Sequence, residues 1–202
     1  MLILALAALL LTHAAADTHL FSWETAITHG NKTYKTVKIG TQTWMAENLN
    51  YEAEGSLCYE NKPANCAKYG RLYNWSTAMK VCPKGWHLPS NAEWDKLFRF
   101  VDGDEGTKSP YRSKTAGEHF KMVSGWNEDG NGTDKYGFSA LPGGYGSSDG
   151  SFSNVGDRGY WWSANESSSY NAYLRFVICS YDYAYWELGS KSNLFSVRCV
   201  QN

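Results

Sequence analysis

Apolar residues recur at helical spacing twice in close succession. Trp75, Ala78, Met79 and Cys82 fall at i, i+3, i+4 and i+7, and so do Trp94, Leu97, Phe98 and Val101. Each set therefore lines one face of a helix. The second helix opens on Ser90-Asn91-Ala92-Glu93, a capping box in which hydroxyl and carboxylate satisfy backbone donors that the helix leaves unpaired. Pro83 and Gly85 end the first helix, because proline lacks a backbone donor and glycine tolerates unusual dihedrals. Asp102-Gly103-Asp104-Glu105-Gly106 ends the second. The pattern predicts two short amphipathic helices, joined by Cys-Pro-Lys-Gly and laid against a sheet.

Alternation with period two marks the strands. Residues 35–45 carry Val37 and Ile39, then Gly40-Thr41, then Thr43 and Met45, which predicts a hairpin turning at Gly40 with Trp44 near the core. Ala172, Leu174, Phe176 and Ile178 alternate with Tyr173, Arg175, Val177 and Cys179, giving a strand with one apolar face. Residues 180–183 can turn and residues 185–188 return beside it. Phe195, Val197 and Cys199 alternate with Ser196, Arg198 and Val200 as a last strand. Residues 17–34 read as a polar leader of little pattern, and residues 49–69 as loop.

Residues 107–169 are rich in Gly, Ser and Asn, a composition that by itself argues for disorder. They also hold Trp126, Phe138, Tyr145, Phe152, Tyr160, Trp161 and Trp162, too many rings to leave in water. We read them as an ordered, loop-rich lobe. Loops held on a rigid scaffold are where binding residues concentrate. The fold class is α+β: two helices packed on a small, mostly antiparallel sheet with a long loop-rich lobe. It forms one domain over residues 35–202, with no internal repeat.

At 202 residues the chain can bury a substantial core. Its formal net charge of -1 and lack of a basic cluster exclude nucleic acid and an anionic membrane surface as partners. Residues 1–16 read as a secretory signal. An apolar run of about ten residues is short of the roughly 20 that span a bilayer, and Ala14-Ala15-Ala16 supplies small residues for cleavage before Asp17. No Lys or Arg precedes the run. A misplaced start or a minimal n-region would each account for that, and a buried N-terminal helix is the competing reading. A signal here places the protein outside the cell or on its surface, with no membrane span.

Five motifs follow one another in order: WMAENLNY, CPKGWHLPSNAEWDKL, GTDKYGFSALPGGY, GYWWSA and SVRCV. Over residues 35–200 the chain resembles the Fibrobacter succinogenes major paralogous domain family. The resemblance implies the C-type-lectin-like superfold, which also includes formylglycine-generating sulfatase-activating enzymes. It implies a fold and not an activity. Those enzymes use a pair of closely set cysteines, and Cys179 has no such neighbour.

The five cysteines sort unevenly. Cys58 and Cys66 bracket a polar loop that a local bridge can close. Cys82 ends the first helix and Cys199 lies in the last strand, and in C-type-lectin-like folds a bridge commonly joins those two places. The resemblance thus implies a Cys82–Cys199 pair, which an oxidising compartment would preserve. Cys179 is left over as a buried thiol, an intermolecular bridge or a reactive site. Its strand context favours the buried thiol.

Asn127, Asp129 and Asn131 alternate ahead of Gly132, as in a calcium loop, but Phe138 takes the place of the bidentate Glu. Any calcium held by Asp129, Asn131 and Asp134 would be held weakly, and no other cofactor is expected. No Gly-x-Ser-x-Gly, His-Glu-x-x-His or phosphate loop occurs, so no enzyme is expected. The compositional outlier is aromatic, with nine Trp and fourteen Tyr. Tyr145, Tyr160, Trp161, Trp162, Tyr181, Tyr183, Tyr185 and Trp186 crowd the lobe and its hairpin, with Asn154, Asp157, Arg158 and Arg175 nearby. Most such rings pack a core. An exposed subset would suit a polysaccharide, because Tyr and Trp join apolar area to a polar tip. Trp161 and Trp162 must point to opposite sides of a strand, so one would fill the core and the other face outward. The expected function is a non-catalytic binding module for polysaccharide or a surface protein. The alternative is a structural surface component that assembles by protein contacts.

Overall fold

The computed structural model describes residues 26–103 and 112–202. The expected signal, part of the leader and residues 107–111 of the lobe lie outside them. Residues 26–34 are not patternless. β1 (Ile27–His29) and β2 (Lys32–Tyr34) form a hairpin, and buried Tyr34 accepts the Asn50 N–H on its hydroxyl at 3.0 Å. β3 (Thr36–Ile39) and β4 (Gln42–Met45) form the expected second hairpin. Its turn needs Gly40, whose φ is 61°.

Residues 49–69 are more than loop. They hold β5 (Ser56–Leu57) and α1 (Pro63–Tyr69). α1 has Pro at its first turn, a position where the missing donor costs nothing, and buries Cys66 and Tyr69 on one side. The Cys58–Cys66 bridge, with Cα atoms 5.0 Å apart, ties α1 to the strand before it. After β6 (Leu72–Tyr73), α2 (Trp75–Ala78) is a single turn. It does not reach Cys82, and Met79 is 43 % exposed. The chain must leave the helix early, because Cys82 bridges to Cys199, Cα atoms 5.9 Å apart, and β7 (Trp86–His87) follows at once.

α3 (Asn91–Asp102) carries the full capping box at Ser90 and ends on Gly103 in the left-handed region. Beyond it come β8 (Arg112–Ser113), α4 (Ala116–Phe120), β9 (Gly143–Gly146) and β10 (Phe152–Val155). The long strands are β11 (Arg158–Glu166), β12 (Asn171–Ile178) and β13 (Ala184–Ser190). The chain ends with β14 (Phe195–Ser196) and β15 (Val200–Gln201).

The sheet is larger than expected and comes in parts. Nine strands run β5-β6-β14-β11-β12-β13-β8, with β9 on β11 and β10 on β9, and a separate sheet runs β3-β4-β15-β7. Pairing is antiparallel except where β14 and β9 meet β11. The expected last strand is two: β14 belongs to the large sheet and β15 to the small one. Residues 194–200 are all buried in the crossing between them, so alternation there does not sort faces.

Each face of the large sheet carries a core. One core gathers Trp94, Leu97 and Phe98 of α3 with Phe138, Trp161 and Val177. The other gathers Tyr73, Ala78, Trp162, Leu174 and Phe195. β12 therefore feeds Val177 to one core and Leu174 to the other, so it has two apolar faces where one was expected. The two helices do not pair. α3 lies over the first core and α2 over the second.

Candidate functional site

The central strands set the site by register. Tyr160 of β11 stands opposite Phe176 of β12, and Phe176 stands opposite Tyr185 of β13. Directly opposed residues share a face, so the three rings line up across the strands. Centroids are 5.7 Å apart for Tyr160 and Phe176, and 5.1 Å for Phe176 and Tyr185. Tyr145 of β9 extends the row beyond Tyr160 at 5.4 Å. Tyr183 continues it past Tyr185 at 6.0 Å, and Tyr181 lies 6.4 Å further on. Tyr160 is buried beneath the row, Tyr181 is 50 % exposed, and the other four rings are half-buried. The row is the open margin of the second core, beyond the cover of α2.

Polar groups flank it. The Asn154 amide donates to the Tyr160 hydroxyl at 2.9 Å, and Arg158 donates to the same oxygen at 3.4 Å. Burial lifts the Tyr160 hydroxyl above the ordinary phenol range, against the pull of Arg158 and Asn154, so it remains a neutral partner. The Tyr160 bond and nearby carboxylates raise Arg158 further, though its partial burial opposes them. On the other flank Glu187, opposite Leu174, shares the face of the row and is exposed. At the far end the Arg112 guanidinium sits over the Tyr183 ring, 4.3 Å from its centroid.

The model of the Fibrobacter succinogenes major domain matches residues 37–201. The chain belongs to that family. Its match starts in β3 and ends in β15, so the whole ring row and both bridges lie inside the family domain, and the β1–β2 hairpin lies outside it. No curated protein matches the chain, and no solved structure does.

Within this Fibrobacter succinogenes major domain, the residues picked out by sequence separate into two groups. Tyr145, Tyr160, Tyr181, Tyr183 and Tyr185 join the row. Trp161 and Trp162 do not, and neither faces outward: the Trp161 indole donates to Asn48 at 2.8 Å and that of Trp162 to the Tyr73 carbonyl at 2.7 Å, both in the interior. Arg175 is also interior, where it bonds to Asp95 at 3.1 Å and Asn91 at 3.2 Å. Trp186 stands opposite Arg175 on the reverse face of the sheet, 5.4 Å from Tyr173. Phe176 completes the row and was absent from the rings picked out by sequence. The alternation of β12 was the signal for it, since it aligns Phe176 with Tyr160 and Tyr185 once the register is known.

The calcium-like loop does not close on a centre. Asn127 donates to Asp157 at 2.9 Å, Asn131 accepts the Trp126 N–H at 3.1 Å, and Asp134 takes both the N–H and the hydroxyl of Ser139 at 2.6 and 2.8 Å. Burial raises the Asp134 carboxyl despite those bonds. Asp129 is exposed. Alternate positions in this turn diverge to separate partners, so these residues do not fit a calcium ion. Cys179 is a buried thiol, its sulfur 4.0 Å from Glu128.

Proposed function

We propose that this chain is an exported, non-catalytic binding module that holds polysaccharide along the row from Tyr145 to Tyr181. The continuity of the row carries this reading. Six rings stand in series, five of them half-buried or exposed, with Asn154, Arg158 and Glu187 beside them to bond hydroxyls. Apolar surface with a few convergent polar groups is the usual composition of a ligand site. Two disulfides suit an oxidising compartment outside the cell. The long bridge between the end of the α2 segment and the start of β15 also suits a C-type-lectin-like fold.

Retention on insoluble polysaccharides and on a glycan array tests the proposal. Wild type should be retained by at least one glycan, and Tyr183→Ala with Tyr185→Ala should release it while thermal unfolding stays cooperative. A second reading, a surface component assembling through protein contacts, is favoured by Tyr170, 80 % exposed at the β11–β12 turn, and by exposed Leu188. No retention on any glycan, together with self-association by light scattering, would select that reading.

A further inference from the structure

A separate cavity of about 220 Å³ opens where the segment after β4, the end of α1 and the approach to β9 come together. Lys32, Lys35 and Lys68 line it, against a single carboxylate, Glu47. Glu47 is already engaged. One of its oxygens accepts Lys32 Nζ at 2.8 Å and the other the Lys35 backbone N–H at 3.1 Å. Partial burial alone would raise its carboxyl, but these bonds hold it below the ordinary value, so it stays ionised and matched to Lys32.

More positive charge stands behind the wall. Arg198 is fully buried and donates to Asn48 Oδ1 at 2.8 Å and to the Ser139 carbonyl at 3.3 Å. Asn48 and Ser139 both line the cavity. Its other acceptors are the carbonyls of Met45 and Phe138; among the described residues none of its bonds ends on a carboxylate, and Asp134 and Glu47 act on its charge only from further off. Ser139 holds a φ of 54°, fixed by the two bonds to Asp134, so the wall is set before any ligand arrives. An anion entering here would meet excess positive charge at a partly dry wall, where attraction exceeds that in bulk water.

Size and lining narrow the ligand. The volume is below the roughly 300–1,000 Å³ of drug-sized sites, enough for one ring-sized unit. Tyr69, Met122 and Leu141 give part of the lining an apolar character that a sugar ring can cover. Lysines offer point charges rather than a planar fork, so they attract an anionic group without selecting its shape, and the apolar part of the lining favours one carried on a sugar ring. We propose that this cavity binds one hexuronate residue through its carboxylate. It shares no residue with the ring row, so it would let the module select acidic polysaccharide among chains that the row holds.

Monosaccharides test the cavity apart from the row, being too short to span it. Calorimetric titration of the intact chain with galacturonate, galactose and inorganic sulfate should give binding for galacturonate and at least tenfold weaker binding for the other two. Affinity should fall with salt as the screening length shrinks from about 10 Å at 0.1 M to about 3 Å at 1 M. Lys68→Glu and Lys35→Glu, both at exposed positions, should each weaken galacturonate at least tenfold, while Lys96→Glu, the same charge reversal at an exposed position of α3 outside the cavity, leaves it unchanged. Equal affinity for galactose removes the charge argument, and equal affinity for sulfate removes the sugar. Unchanged galacturonate binding in Lys68→Glu overturns the site.

Discussion

Trp161 and Trp162 are adjacent in β11, and they belong to different cores. Trp161 stands beside Phe138 at 6.1 Å in the core under α3, and Trp162 beside Phe195 at 4.5 Å in the core under α2. A strand sends successive side chains to opposite faces, and here neither face is left to solvent. β11 is thus the wall between two interiors, and each indole N–H finds an acceptor in its own.

Both rings should therefore be indispensable. Trp161→Ala and Trp162→Ala should each cost about 3–5 kcal/mol, the usual loss for a large ring removed from a core. Urea unfolding measures it. A loss under about 1 kcal/mol at either position is the behaviour of a surface residue and would contradict the two-core arrangement.

That arrangement also explains what the sequence could and could not reveal. Ser90 and Glu93 marked the start of α3 because a capping box is local chemistry, and Gly40 marked a turn for the same reason. The α+β class and the pairing of Cys58 with Cys66 and of Cys82 with Cys199 were legible too, the latter through family resemblance. Periodicity failed where burial is two-sided. Alternation at Phe195, Val197 and Cys199 suggested one strand, but a segment buried throughout carries no face signal, and it divides between two sheets. The ring row was legible as a crowd and not as a line. Tyr145, Tyr160, Tyr181, Tyr183 and Tyr185 stood out by density, while their order, and Phe176 between them, come only through the register of three strands, a long-range property.

Arg198 went unnoticed as an alternating polar residue, yet it is the hub of the crossing between sheets. Burial draws it down to about 9, so it is charged at neutral pH. Arg198→Met should destabilise by about 3 kcal/mol or more, since it strands the Asn48, Met45, Phe138 and Ser139 acceptors in the interior. Arg198→Lys should also lose stability, because an ammonium cannot span acceptors placed for a fork. Thermal unfolding compares the two, and a neutral effect of the Met variant would show that water can replace the guanidinium.

The α3 cap should make folding acid-sensitive. Burial alone would raise the Glu93 carboxyl, but the Ser90 N–H, the Ser90 hydroxyl and His87 together hold it below its ordinary 4.5. A carboxyl lower in the folded state adds stability above the unfolded value, and that stability is lost as pH falls through the folded value. The melting temperature of wild type should therefore drop below about pH 4.5, by the linkage of cap and proton. Glu93→Gln should begin about 1 kcal/mol less stable at pH 7 and show a shallower acid limb. An identical slope in both proteins would mean that Glu93 does not titrate with unfolding.

The two bridges should differ in weight. Cys82–Cys199 closes a loop with a sequence separation of 117, and Cys58–Cys66 one of 8. Chain-entropy estimates give roughly 5 kcal/mol for the first and roughly 2.5 kcal/mol for the second. Paired Cys→Ser variants, compared by guanidinium unfolding, should reproduce that order. The reverse order would show that the short bridge holds native structure, α1 above all, beyond its effect on the unfolded chain.

The far end of the ring row rests on one close approach. Gly117 of α4 lies so near the Asp182 and Tyr183 backbone that a Cβ would overlap both, and the Glu118 N–H donates to the Asp182 carbonyl at 3.2 Å. Gly117→Ala should therefore push the turn carrying Tyr181 and Tyr183 away from α4, at about 1–3 kcal/mol for an overpacked contact. If polysaccharide lies along the whole row, retention should weaken together with stability. If retention survives an equal loss of stability, the ligand must sit between Tyr145 and Tyr185, and the Tyr181 end of the row has another use.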